Sequence, residues 1–205
     1  MMLPATTKTS PGPFDAAIRS RTWLESLANE TYKPLKQPLT NYHDHGSFYA
    51  KSIVTRQAYP LTFKALMTFF GFIISTSCPT NWRSIINLYG GRHSQINAEP
   101  TFPSGYSSRN DLWIIQNFFP LHSQTRNEVI EFANKLTRTI PKVQPEGKSG
   151  ASLSYVDPML SCQEVAVLYY GPELYRWLVT LKRKVDPRAV FLNPQTILLK
   201  SIKLP

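Results

Sequence analysis

The stretch from Tyr169 to Gln195 leaves this chain few choices of fold. Gly171-Pro172 marks a helix start, because proline at the first helical position gives up an amide that has no intrahelical partner there. Leu174, Trp177, Leu178 and Leu181 then recur at helical spacing, and the spacing predicts an apolar stripe packed on a sheet. Lys182-Arg183-Lys184 puts cations at the negative end of the helix dipole. Asp186-Pro187 ends the helix, since a residue before proline is pushed out of the helical region. Phe191 and the turn Asn193-Pro194-Gln195 follow, and two adjacent tyrosines, Tyr169 and Tyr170, precede.

Upstream, Phe14, Ala17, Ile18, Leu24 and Leu27 predict a short amphipathic helix over 14–29, after a proline-containing flexible lead over 1–13. Phe48 to Thr55 reads as a strand. Thr62 is placed to cap a helix carrying Phe63, Leu66, Met67, Phe70 and Ile74, apolar enough to be largely buried. Trp82 to Leu88 reads as a short strand ending at Gly90-Gly91, and Leu112 to Phe118, apolar nearly throughout, as a central one. Thr125-Arg126-Asn127-Glu128 matches a capping box opening a helix to Thr139, and 141–150 reads as a surface loop. The whole predicts an α+β fold, an antiparallel sheet covered by helices on one face, with 14–205 as one unit.

Composition narrows the function. The net charge of +10 is scattered, with one basic run at 182–184 and no nucleic-acid-binding motif, so neither nucleic acid nor a membrane is an expected partner. The longest apolar run, Ala65 to Ile74, is about half the ~20 residues of a spanning helix, and the start of the chain lacks a secretory signal's apolar core. A soluble cytoplasmic protein is expected. Two cysteines, Cys78 and Cys162, are too few for a disulfide scaffold and are expected as buried free thiols. No Gly-x-Ser-x-Gly, Walker or His-Glu-x-x-His pattern occurs. His43-Asp44-His45 reads as a loop, so no metal site is expected.

The C-terminal block, taken with Phe48 to Ser52, Ile85 to Gly91, Ser94 to Asn97, Arg109 before Leu112 to Gln116, and Ser154-Tyr155-Val156-Asp157-Pro158, resembles the berberine-bridge-type FAD-linked oxidases of the vanillyl-alcohol-oxidase fold group. The matches are collinear over about residues 40 to 200 and correspond to the substrate domain plus the C-terminal segment. The resemblance implies that Tyr170, Asn193 and Gln195 face the flavin, and that Tyr155, on the inner face of the substrate sheet, is a proton donor or acceptor. Next to the glycine pair, His93 is a second, weaker candidate at the pocket mouth. Ser152 stands where the family commonly has the first tyrosine of Tyr-x-Asn-Tyr.

A glycine-rich phosphate loop is absent, so FAD is not expected to bind this chain alone. Three functions follow from the resemblance: a flavin-free isomerase or cyclase, or binding protein, for a hydrophobic natural product of secondary metabolism; the substrate-binding portion of an oxidase whose FAD sits on a separately encoded flavin domain; or a non-catalytic homologue. The expected partners are the hydrophobic small molecule and, for the second function, the flavin domain. Self-association into a homo-oligomer is the alternative for an exposed sheet face.

Overall fold

The computed structural model describes residues 20–31, 46–145, 148–193 and 195–199. The chain divides into two compact units, Met1–His45 and Gly46–Pro205. The first contains helix α1, Trp23–Thr31. Thr22 caps it reciprocally, accepting from the Glu25 amide at 3.3 Å while the Glu25 carboxylate accepts from the Thr22 amide at 2.8 Å. The predicted flexible lead, residues 14–19 of the helix predicted over 14–29 and His43-Asp44-His45 lie outside the described residues, and residues 20–22 precede the helix rather than belonging to it.

The second unit runs β1 (Phe48–Arg56), α2 (Phe63–Ser75), β2 (Arg83–Leu88), α3 (Gln95–Ala98), β3 (Asp111–Pro120), α4 (Arg126–Arg138), β4 (Ser149–Gly150), α5 (Cys162–Val165), a π-helix (Ala166–Tyr170) and α6 (Pro172–Val185). The four strands form one antiparallel sheet in the order β2-β3-β1-β4. This is the expected α+β architecture, with β3 central and Ile114 and Ile115 buried on its opposite faces. On one face, Tyr49, Ile53, Ile115 and Phe119 meet Phe69 of α2 and Val129, Phe132 and Leu136 of α4. Trp82 stacks on Phe119 at 5.5 Å.

Four expectations need correction. Although α2 begins at its Thr62 cap, only Ala65 and Phe69 are buried, the two that join the core cluster on the sheet. The capping box at Thr125 does not form: Thr125 has φ −112° and ψ 9°, outside the extended geometry of a cap, and its hydroxyl is buried without a partner among the described residues. A full capping box stands instead at Ser161–Glu164. The buried residues of α6 are Leu174, Tyr175 and Val179; Tyr175 and Val179 pack with Ala166 and Tyr170 of the π-helix and Ile197, and Trp177 meets Phe102 edge-on at 5.4 Å. Finally, Cys162 is exposed at the start of α5, so only Cys78 is partly buried.

Candidate functional site

Strand alternation puts Phe48, Ala50, Ser52 and Val54 of β1, Ile114, Gln116 and Phe118 of β3, and Arg83, Ile85 and Asn87 of β2 on the sheet face turned away from α2 and α4. Val54 and Ile114 are covered. Gly150 is tightly set, since a Cβ there would lie 3.2 Å from both the Leu168 carbonyl and the Arg56 guanidinium. The Ala151 amide donates to the Leu168 carbonyl, and the Ser152 amide to the Ser52 hydroxyl at 2.8 Å.

From Ser152 the chain wraps around the edge of β1 and emerges on the helix-covered side at Asp157. There the buried Asp157 carboxylate pairs with Lys51 at 2.6 Å and accepts from the Tyr49 hydroxyl at 3.1 Å and the Met159 amide at 3.0 Å. Lys51 also donates to Asn134 of α4 at 2.8 Å. The Asp157 amide donates to the Tyr169 hydroxyl at 2.9 Å, and its carbonyl accepts from the Gln195 side-chain amide. One residue thereby joins strand, helix, π-helix and C-terminal turn. Burial, seconded by the negative Asp157, pushes the Tyr49 phenol well above the ordinary tyrosine range. Burial also pushes Tyr169 up, against the hydrogen bond from the Asp157 amide.

The sequence-predicted residues fall around this wrap. Half-buried Tyr155 stands in the turn beyond Ser152, its amide donating to the Ser152 carbonyl at 3.1 Å; that turn crosses the β1 edge rather than lying on a strand. Tyr170 closes the π-helix, tilted against Tyr175 at 5.9 Å. It lines a cleft of about 300 Å³ with Thr101, Phe102, Ser107 and the start of α6. Burial, then the neighbouring Tyr175 and Tyr169, raise its phenol, so it is a neutral hydrogen-bond donor near pH 7. Asn193 is exposed, its side-chain oxygen accepting from the Gln195 amide at 2.8 Å. Gln195 is buried at 7% exposure, with one side-chain oxygen unpartnered among the described residues. His93 lies exposed on the turn after Gly91, outside this network.

The glycine pair belongs to a separate lock. A Cβ on Gly90 would collide with the Asp111 carbonyl oxygen. Asp111 is wholly buried and paired with Arg56, while Asn97 donates to the Arg109 and Asp111 carbonyls. Burial raises the Asp111 carboxyl, opposed by the Arg56 charge.

What remains accessible on the sheet face is a mixed wall. Phe48 stacks on Phe118 at 5.0 Å, the Arg83 guanidinium sits 4.9 Å over the same ring, and half-buried Gln116, Asn87 and Ile85 adjoin. Such a wall offers stacking surface beside fixed hydrogen-bonding groups. Sequence reasoning singled out none of Arg83, Asn87 or Phe118 as functional; the signal was the alternation of β2 and β3. Among the described residues no group of three metal-ligating side chains converges. Of the residues expected to face a flavin, Gln195 gives its side-chain amide to the Asp157 carbonyl.

Comparison with known proteins bears on this geometry. The family model described as "Berberine and berberine like" matches residues 153–198, the wrap, the π-helix, α6 and the C-terminal turn. A carbohydrate oxidase of Microdochium nivale is 27% identical over 186 residues, covering 87% of this chain and 36% of the relative. A glucooligosaccharide oxidase of Sarocladium strictum is 27% identical over 162 residues, covering 75% and 32%. The chain thus spans about a third of the length of the curated relatives it matches. The solved chitooligosaccharide oxidase superposes with a TM-score of 0.75 at 23% identity, over 86% of this chain and 38% of that one. A glucooligosaccharide oxidase from Acremonium strictum, whose structure concerns a 6-S-cysteinyl, 8α-N1-histidyl FAD, gives 0.73 at 25%, over 88% and 39%.

Proposed function

We infer, from a chain that is a partial member of the berberine-bridge-type family of FAD-linked oxidases, that it forms the substrate-binding wall and C-terminal segment of an FAD-linked oligosaccharide oxidase. The observation that carries this reading is the mixed wall of Phe48, Phe118, Arg83, Asn87 and Gln116 on the face turned away from α2 and α4. A sugar ring has apolar faces and a polar rim, and such a wall meets both. Relatives named for carbohydrate, glucooligosaccharide, chitooligosaccharide and xylooligosaccharide oxidation support it.

In this reading FAD would be held by the part of the fold that this chain does not match and would supply the acceptor for the substrate's hydride. This chain's own part is to bind and orient the sugar and to exclude water. Neutral Tyr170 donates a hydrogen bond in the cleft beside α6, and Tyr155 holds the turn at the sheet edge. A second reading is a hydrophobic natural product, isomerised or cyclised without redox chemistry and positioned by the same wall. The stacked Phe48–Phe118 pair favours it.

The test is a chimera joining this chain to the portion of the Microdochium nivale carbohydrate oxidase that it does not match. Anaerobic addition of gluco-, chito- or xylo-oligosaccharides should bleach the flavin. A flavin-loaded chimera that no oligosaccharide bleaches overturns the carbohydrate reading. If apolar aromatic ligands alone then raise its melting temperature, the natural-product reading takes its place.

A further inference from the structure

The cleft of about 300 Å³ beside α6 is at the lower end of the range for small-ligand pockets, a size that suits one ring rather than a long chain. Its lining is of three kinds. Phe102, 40% exposed, presents a ring held edge-on against Trp177. Thr101, Ser107 and Tyr170 are neutral and polar, and Ser107 is already spent, its hydroxyl donating to the Tyr169 carbonyl. The one charged residue of the lining is Glu173. It is exposed and forms no ion pair among the described residues, not even with Arg176 one turn along the helix.

A carboxylate in the first turn of α6 suits the positive end of the helix dipole. The dipole does not require that this carboxylate line a cleft with no other charge, in a chain whose net charge is +10. A concave wall focuses the field of the charge within it, so the cleft attracts a cation that the rest of the surface repels. The phenol of Tyr170, raised by burial, stays a neutral donor there rather than a second anion. One kind of ligand uses every part of this lining: a sugar ring with a protonated amine, whose apolar face stacks on Phe102, whose hydroxyl oxygens accept from Tyr170 and whose ammonium donates to Glu173. We propose that the cleft beside α6 is a subsite for an amine-bearing oligosaccharide, and that Glu173 is the residue that selects it over neutral sugars. This rests on the oligosaccharide reading above.

The test compares trimers of glucosamine, N-acetylglucosamine and glucose as reductants of the chimera with the Microdochium nivale carbohydrate oxidase, at about pH 6, below the ordinary range of an amine. The glucosamine trimer should exceed either neutral trimer in kcat/KM by about fivefold or more, the worth of a charge-assisted hydrogen bond at a half-open site, and the excess should shrink as salt is added. Glu173→Gln should bring that ratio close to one, and Glu173→Asp should keep part of it. A merely structural Glu173 would move all three trimers together. In the full chain without flavin, Trp177, in contact with Phe102, reports binding by its fluorescence, and the glucosamine trimer should again bind about fivefold or more tightly than the neutral trimers. Equal kcat/KM for the three trimers, or an amine preference that survives Glu173→Gln, overturns the subsite and leaves the oligosaccharide reading intact. If no oligosaccharide bleaches the flavin, the oligosaccharide oxidase reading falls, and the fluorescence titration judges the cleft separately: no preference for the glucosamine trimer there overturns the subsite as well.

Discussion

Removing the Asp157 carboxylate should destabilise the fold more than any substitution on the open sheet face. The Lys51 and Asp157 side chains are 12% and 5% exposed and 2.6 Å apart. In Asp157→Ala, Lys51 keeps only neutral acceptors, the Asn134 oxygen and the Tyr49 hydroxyl, and the Met159 amide loses its acceptor. Stranding one member of a buried pair costs about 3–5 kcal/mol. At about 2–4 °C per kcal/mol for a chain of this size, the melting temperature should fall by about 6–20 °C. Urea unfolding followed by tryptophan fluorescence measures the loss directly, with Trp82 reporting from its stack on Phe119. Lys51→Met removes the stranded charge, so Lys51→Met/Asp157→Ala should cost less than the two single changes summed, by about 1–3 kcal/mol. An Asp157→Ala loss below about 1 kcal/mol, or strict additivity in the cycle, would refute the reasoning that a buried, coupled pair holds the wrap.

Gly90→Ala should cost about 1–3 kcal/mol by overpacking against the Asp111 carbonyl, whereas Gly91→Ala has open space and is opposed only by its φ of +111°; equal melting temperatures for Gly90→Ala and wild type would contradict the close approach. Alkaline stability follows from the raised phenols of buried Tyr49 and Tyr169 and half-buried Tyr170. A raised folded pKa contributes stability that is present below the unfolded value of about 10 and lost above it, so stability should fall only as pH rises past 10. Phenolate absorbance should then lag for these tyrosines until the chain unfolds; one smooth titration near pH 10 with the fold intact counts against their burial.

Elements whose signals are local in sequence were legible. The Thr62 cap is made, its hydroxyl accepting from the Ala65 amide at 3.1 Å, and Gly171-Pro172 and Asp186-Pro187 bound α6 as their backbone restrictions require. Elements set by tertiary contact were not. The inward face of α6 turned out to be Tyr175 and Val179 because its support is the π-helix, and no periodicity announces a widened turn at Ala166–Tyr170. The α2 pattern fixed a helix but was silent on how many of its sides would find a neighbour. Of the candidate site, the C-terminal block and Asp157 were visible as a motif, while the wall of Arg83, Asn87, Gln116 and Phe118 was not. Its residues are ordinary alternating strand positions until the covered face of the sheet is known.

The residues easiest to recognise are therefore the ones that hold the chain together. Lys51, Asp157, Tyr169 and Gln195 meet in one buried network, Lys182, Asp186 and the Phe191 carbonyl in a second, and Gly90, Asn97 and Asp111 in a third. The first joins segments distant in sequence, the second ties the end of α6 to the residues just after it, and loss of either leaves buried groups unpaired, which makes their members expensive to replace. Arg83, Asn87 and Gln116 are exposed or half-buried, and substitutions at such positions typically cost under about 0.5 kcal/mol. A fold organised this way can change what its sheet face binds without disturbing what closes the wrap. Under the proposed function, the chemistry of the wall rather than the motif would carry the choice between an oligosaccharide and an apolar substrate.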